Sequence, residues 1–259
     1  MKAREEAIIF LHIPKTGGTT LRHILERRYR WDQIYTLKDP GFLSQIEKFK
    51  KFPSEKREAY RLIEGHLSFG FHRYLPGHAS YITLLREPIA RLLSFYYYAR
   101  SHPEHYLYST LREDQPGLKG LLRQRTAHTH EFFNLQTCMI AGDEWDDPDR
   151  PADRAALERA KQNMRNHFKL VGLTEEFEAS LRVLSHKFGW KVGFYRKRNI
   201  TRRKPDAEIV DPETSKLLRE ANALDIELYQ FARELFQMQR RVEDNRDASR
   251  SSLSSTLEV

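Results

Sequence analysis

The chain has 259 residues, 39% hydrophobic and 31% charged, enough apolar side chain for a full core beneath a well-solvated surface. Lys and Arg number 44 against 36 Asp and Glu, and the resulting +8 favours an anionic partner without choosing among nucleotide, acidic polysaccharide, nucleic acid and membrane surface. The single cysteine, Cys138, excludes an intrachain disulfide, and the apolar run from Ala7 to His12 is too short for a signal sequence or a membrane span. The expectation is a cytoplasmic protein with no transmembrane segment, built as one domain over 1–241 with a polar, disordered tail over 242–259.

In chain order, Ala7–Leu11 is a short β-branched and aromatic apolar run, the pattern of a buried strand. The loop from His12 to Gly18 follows, then a helix from about Thr19 to Arg28 with Leu21, Ile24 and Leu25 on one stripe. Trp31–Arg61 is weakly patterned and reads as an excursion holding a short helix near Phe42–Phe52. A second strand is expected at Tyr81–Leu85, and then a helix with Pro88 in its first turn. Ser101–Arg125 reads as surface loops and short helices, Asp143–Arg150 as an acidic turn, and Ala152–Met164 as a helix. Lys169–Leu173 is a third strand, with Thr174 as the expected N-cap of the helix after it. Tyr195–Pro205 is the most basic stretch, six of its eleven residues being Lys or Arg. Asp211-Pro212-Glu213 opens a last helix expected to reach about Gln239. Strands alternating with helices give an α/β class, a P-loop-like parallel sheet flanked by helices.

The segment His12-Ile13-Pro14-Lys15-Thr16-Gly17-Gly18-Thr19-Thr20 carries the most chemistry. Two glycines let backbone amides approach an anion, and a helix start adds free N–H groups and a positive dipole end. Lys15 supplies a mobile charge, and Thr16, Thr19 and Thr20 supply hydroxyls. The loop suits a phosphate, yet it is not Walker A, in which Lys follows the second Gly; here Lys15 precedes Gly17 and Gly18.

The run Phe10–Leu21 resembles the 5′-phosphosulfate loop of the PAPS-dependent sulfotransferase family, in the branch of the heparan and uronyl 2-O-sulfotransferases and related bacterial carbohydrate sulfotransferases. That resemblance implies a sulfotransferase fold and implies that the loop wraps the 5′-phosphosulfate of PAPS, with Lys15 at the bridging oxygen, steadying the charge that develops as the sulfuryl group leaves. The stretch Tyr81–Pro88, continuing to Tyr96, is similar to the family's 3′-phosphate element, which implies that Arg86 at the strand end and Ser94 eight residues on bind that phosphate. Glu87 stands where Asp is more usual. The basic Tyr195–Pro205 run falls where the family has a loop over the nucleotide, and the resemblance extends that role to Arg198 and Thr201; a solvated charge run is the alternative reading.

An acceptor hydroxyl must lose a proton as it attacks, and His is the usual base near neutral pH. Glu64-Gly65-His66-Leu67-Ser68-Phe69 resembles the segment bearing the catalytic histidine region in the same branch, where some members have His-Gly-His. His66 is the expected base, with Glu64 the alternative because it occupies the first His position. His12 is expected to orient the loop by hydrogen bonding. Asn134 and Gln136 are read either as ligand contacts or as structural polar groups. The His pairs at 102/105 and 128/130 lack the spacing of a metal site, so no metal is expected. The function expected is sulfuryl transfer from PAPS to a hydroxyl acceptor, a glycan or other sugar, releasing 3′,5′-ADP, with no nucleic-acid partner. The rivals are a nucleotide-dependent phosphotransferase, which lacks its Walker A, and a non-enzymatic polyanion-binding module resting on charge alone.

Overall fold

The computed structural model describes residues 6–38, 42–112, 117–123, 127–142, 152–191, 193, 195 and 211–255. Its elements are β1 (Ala7–Leu11), α1 (Gly18–Glu26), β2 (Ile34–Leu37), α2 (Phe42–Lys50), α3 (Ser54–Ala59), β3 (Leu62–Gly65), β4 (Ala79–Leu85), α4 (Pro88–Ser101), α5 (Tyr108–Arg112), α6 (Gly117–Arg123), α7 (Leu135–Ala141), α8 (Arg154–His167), β5 (Phe168–Leu173), α9 (Phe177–Phe188), α10 (Pro212–Ala221) and α11 (Ala223–Ser255). Short 3-10 helices stand at Trp31–Gln33, Phe71–Tyr74 and Ala127–Phe132.

The five strands form one sheet in the order β2-β3-β1-β4-β5, every pair parallel. All five residues of β1 are buried, which is why this strand is an unbroken apolar run: helices cover both faces of a parallel sheet. From β1 the chain passes through α1 to the edge strand β2, returns to β3 beside β1, then crosses to β4 and β5 on the other side. The strand order therefore reverses about β1, and the loops leaving the carboxyl ends of β1, β3, β4 and β5 meet at one edge, where α/β sheets bind ligands.

Strands β1, β4 and β5 stand where the sequence places them. Strands β2 and β3 lie inside, or just after, the stretch expected to be an excursion. β2 is an edge strand with three half-buried residues out of four, and β3 carries the charged Glu64 in a buried position, so neither shows an apolar run or clean alternation. The stretch expected as surface loops after α4 contributes to the interior instead. Leu107, Leu111, Leu121 and Leu122 are buried with Leu92, Phe95, Phe132 and Leu218 in a second apolar cluster. The last helix passes both Gln239 and the boundary expected at 242, running on to Ser255. Its inner stripe is Leu228, Ala232 and Phe236, four residues apart and fully buried.

Candidate active site

The loop after β1 makes its turn with two left-handed residues, Gly17 at φ 77° and Lys15 at φ 69°. Left-handed backbone is uncommon for a side chain as large as lysine, so the loop must be held from outside. Three hydrogen bonds hold it. Arg86 Nη1 donates to the Lys15 carbonyl at 3.1 Å, Thr174 Oγ1 donates to the Thr16 carbonyl at 2.6 Å, and Thr16 Oγ1 donates to Ile13 O at 2.8 Å. Thr174 also lies 3.0 Å from Leu85 O, so one hydroxyl ties the ends of β1, β4 and β5 together. The sequence suggests an N-cap role for Thr174; the N-cap of α9 is Glu176, and Thr174 is a loop clamp instead.

Gly17 caps α1 without any side-chain hydrogen bond to the first turn. Thr20 N donates to the Gly17 carbonyl at 3.2 Å, and the positive end of the helix dipole favours an anion at this start. Gly18 serves a different need. A Cβ at Gly18 would lie 2.1 Å from His12 Cδ2, so only glycine admits the imidazole. His12 is buried, stacked on Phe10 at 5.2 Å and edge-on to His66 at 4.8 Å. It supports the loop by packing, where hydrogen bonding was expected. Burial, with His66, Arg22 and Lys15 nearby, holds His12 well below the usual histidine range and therefore neutral. Thr16 and Thr20 are buried and Thr19 is half-buried, and the Thr16 hydroxyl is engaged within the loop, on Ile13 O.

The Lys15 ammonium sits 3.8 Å above the centre of the Tyr98 ring on α4. Burial, then the Arg86 charge, lowers Lys15 from 10.5 to about 8. Arg86 is itself half-buried, and its guanidinium is also lowered by burial against the pull of Glu175 and Glu87. Two cations are thus drawn together at the strand ends, an arrangement a bound polyanion would relieve.

Arg86 owes its orientation to Gln136. The buried amide of Gln136 accepts from Arg86 N and donates to Arg86 O, both at 3.0 Å. Gln136 and Asn134 are structural groups of the fold. Asn134, left-handed at φ 48°, accepts at Oδ1 from the Leu224 and Asp225 amides that open α11. Asp225 returns the favour to α7, accepting from Gln136 N, Thr137 N and Thr137 Oγ1 at 3.1, 2.7 and 2.8 Å. Ser94 is half-buried on α4, the same helix whose N-terminus is capped by Glu87 through Ile89 N and Ala90 N. A carboxylate at position 87 is therefore functional as a cap, whether Asp or Glu.

On the other side of β1, His66 follows β3 and is half-buried against His12. The segment after it is pinned by the Tyr81 hydroxyl, which accepts from Gly70 N at 3.1 Å and His72 N at 3.0 Å. Gly65 is required just before His66: at φ 142° it passes so close to β2 that a Cβ would lie 2.3 Å from Leu37 O. Glu64 points into the interior. It is fully buried, accepts from Thr36 Oγ1 at 3.0 Å and lies 3.9 Å from Arg22 Nε. Burial and the neighbouring Glu26 push its carboxyl from 4.5 up to about 7, against Thr36 and Arg22. Arg198 and Thr201 lie outside the described residues. Sequence reasoning did not find Tyr98 or the Thr174 clamp. The signal for Thr174 was its place immediately after a buried parallel strand, where side chains face the ligand edge.

Comparison with known proteins bears on this geometry. A family model described as the sulfotransferase family matches residues 1–232. Heparan sulfate 2-O-sulfotransferase 1 of Gallus gallus is 28% identical over 268 aligned residues, covering 90% of this chain and 71% of the relative. Galactose-3-O-sulfotransferase 3 of Mus musculus is 27% identical over 243 residues, covering 88% of this chain and 56% of that one. Among solved structures, the mouse sulfotransferase SULT7A1 complexed with PAP is similar at 20% identity and a TM-score of 0.39, over 85% of this chain and 64% of that one.

Proposed function

Because this chain belongs to the sulfotransferase family, we propose that it moves a sulfuryl group from PAPS to a hydroxyl of a carbohydrate and releases 3′,5′-ADP. The observation that carries this reading is the tie between Lys15 and Arg86, which joins the loop after β1 to the end of β4 through one hydrogen bond of 3.1 Å. The residues fit the donor. The positive end of α1 and the glycine pair suit the 5′-phosphosulfate, with Thr16, Thr19 and Thr20 assigned around it. Arg86 and Ser94 are assigned to the 3′-phosphate, and Arg198 and Thr201 to a basic cover over it. The choice of a carbohydrate acceptor rests on the two relatives, whose names specify heparan sulfate and galactose.

In the proposed step the acceptor oxygen attacks sulfur in line. A new O–S bond forms, the S–O bond to the 5′-phosphate breaks, and the bond's electron pair leaves on that phosphate. The acceptor proton passes to His66. Lys15 neutralises the negative charge gathering on the leaving phosphate, the role a fixed cation fills best in a partly desolvated site. His66 is preferred to Glu64 as base because the Glu64 carboxyl is enclosed by Thr36, Arg22 and Glu26, whereas His66 borders the loop through His12. A reducing, cytoplasmic setting is the companion proposal, resting on Cys138 being the sole cysteine.

The test is incubation with sulfur-radiolabelled PAPS and a panel of uronic-acid and galactose polysaccharides. Label transferred to at least one acceptor, and abolished by His66→Ala, supports the reading. Transfer of phosphate from ATP instead, with none from PAPS, would overturn it.

A further inference from the structure

The Lys15 ammonium has to reach the leaving oxygen of the donor, yet here it rests on an aromatic face 3.8 Å away from the ring centre of Tyr98. Tyr98 is on the outer part of α4, 36% exposed, and contributes nothing to the apolar clusters of the core. Its ring is nonetheless braced. His102 lies 3.9 Å from it, tilted by 31°, and His105 stands edge-on at 5.8 Å. The backbone beneath is fixed as well: His102 Nδ1 lies 2.8 Å from the Tyr98 carbonyl, and Ser101 Oγ donates to the same oxygen at 3.1 Å. The ring of this partly exposed tyrosine is thus contacted by two imidazoles as well as by the Lys15 ammonium.

The need for such a ring follows from the surroundings of Lys15. Arg86 faces it from the end of β4, His12 from the loop after β1, and His105 from beyond α4; each is cationic or becomes so on protonation. Of the carboxylates in this region, Glu175 and Glu87 act on Arg86. Glu104 and Glu131 act on His105. None of the four is among the groups that set Lys15. The negative face of an aromatic ring is then the available counter-charge.

We propose that Tyr98 is a positioning residue for Lys15, its ring holding the ammonium in the donor-free protein and releasing it to the leaving oxygen when the sulfuryl donor binds. This rests on the sulfotransferase reading for the second half, the release, but not for the first. Held on the ring, the cation stays charged and close to its place of use. Moved to the phosphosulfate, it exchanges a weak partner for a strong one.

The experiment uses the full chain with 13Cε-labelled lysine, followed by NMR, with the Lys15 resonance assigned by its loss in Lys15→Arg. In the donor-free protein the Lys15 signal is expected upfield of the other lysines, from the ring current, and to titrate near 8. Tyr98→Leu should remove the upfield shift and lower the midpoint by about one pH unit. Tyr98→Phe, which keeps the ring, should retain both. A midpoint and shift unchanged in Tyr98→Leu overturn the proposal, whatever happens to activity. Saturating 3′,5′-ADP should collapse the upfield shift in the parent; a shift that persists at saturation overturns the release. Failure to bind 3′,5′-ADP counts against the donor assignment instead, and leaves the ring contact to be decided by the donor-free titration. Tyr98 lies outside the core, and a thermal melt of each variant distinguishes a lost contact from a lost fold.

Discussion

Lys15 combines a left-handed backbone, partial burial and a cationic neighbour, three costs that a loop without a ligand has no reason to carry. Its charge is the property the reaction uses, so activity should fall as pH rises past its titration. In the free protein that point is about 8, and the alkaline limb of kcat/KM should fall there. Donor phosphates favour the charged form, so the limb of kcat should lie at higher pH than that of kcat/KM; coincident limbs would contradict the assignment. Lys15→Ala is expected to lower kcat by roughly 100- to 1,000-fold, the range seen when one charge-stabilising group is lost. Gly18 supports a separate prediction. With His12 Cδ2 2.1 Å from where a Cβ would stand, Gly18→Ala must expel the imidazole or shift the loop. It is expected to weaken 3′,5′-ADP binding at least tenfold and to destabilise the fold by about 1–3 kcal/mol, an overpacking cost readable from denaturant melts.

Among the elements, α7 places part of the site through the backbone. It brings Gln136 beneath Arg86 and is bound to α11 by reciprocal caps, Asn134 serving α11 and Asp225 serving α7. Gln136→Leu leaves both backbone groups of Arg86 without their partners. A stability loss of about 1–3 kcal/mol is expected, with weaker 3′,5′-ADP binding, since Arg86 loses its fixed base. Wild-type stability in that variant would show that the amide does not hold the strand end. The sequence made part of this readable. β1, its glycine loop and α1 announce themselves because a buried strand, a turn needing glycine and an amphipathic helix each have a local pattern. Arg86 was legible through the resemblance of its segment to a 3′-phosphate element, since an Arg after an apolar strand says little by itself. Gln136 was ambiguous, because a buried amide looks the same in sequence whether it binds a ligand or the backbone. β2 and β3 were hidden for a different reason: their pairing depends on partners distant in the chain, and a charge sits inside β3. Tyr98 was unreadable because its meaning comes only from Lys15, 83 positions earlier in the chain, reaching its ring.

At the scale of the whole molecule, parallel crossovers bring four loops to one edge of the sheet, and Glu64 is a conspicuous electrostatic cost among the described interior residues. Glu64 bridges β3, β2 and α1 with a carboxyl raised from 4.5 to about 7. A raised folded-state value means the native state binds the proton more tightly than the unfolded chain. Stability should therefore decline as pH rises from about 4.5 to about 7, with the full cost present above. Glu64→Gln, which mimics the protonated form, should match the parent near pH 5 and exceed it by on the order of 1–3 kcal/mol at pH 8. Equal denaturation midpoints at both pH values would contradict this. The central claim concerns the loops just past these same strand ends, where Lys15 and Arg86 are joined by a single hydrogen bond. It is tested most directly by titrating the protein with 3′,5′-ADP, 5′-AMP and ATP in a calorimeter, beside Arg86→Ala. The account predicts clear preference for 3′,5′-ADP and loss of that preference in Arg86→Ala. Equal affinity for the three nucleotides, or the same preference without Arg86, would contradict it.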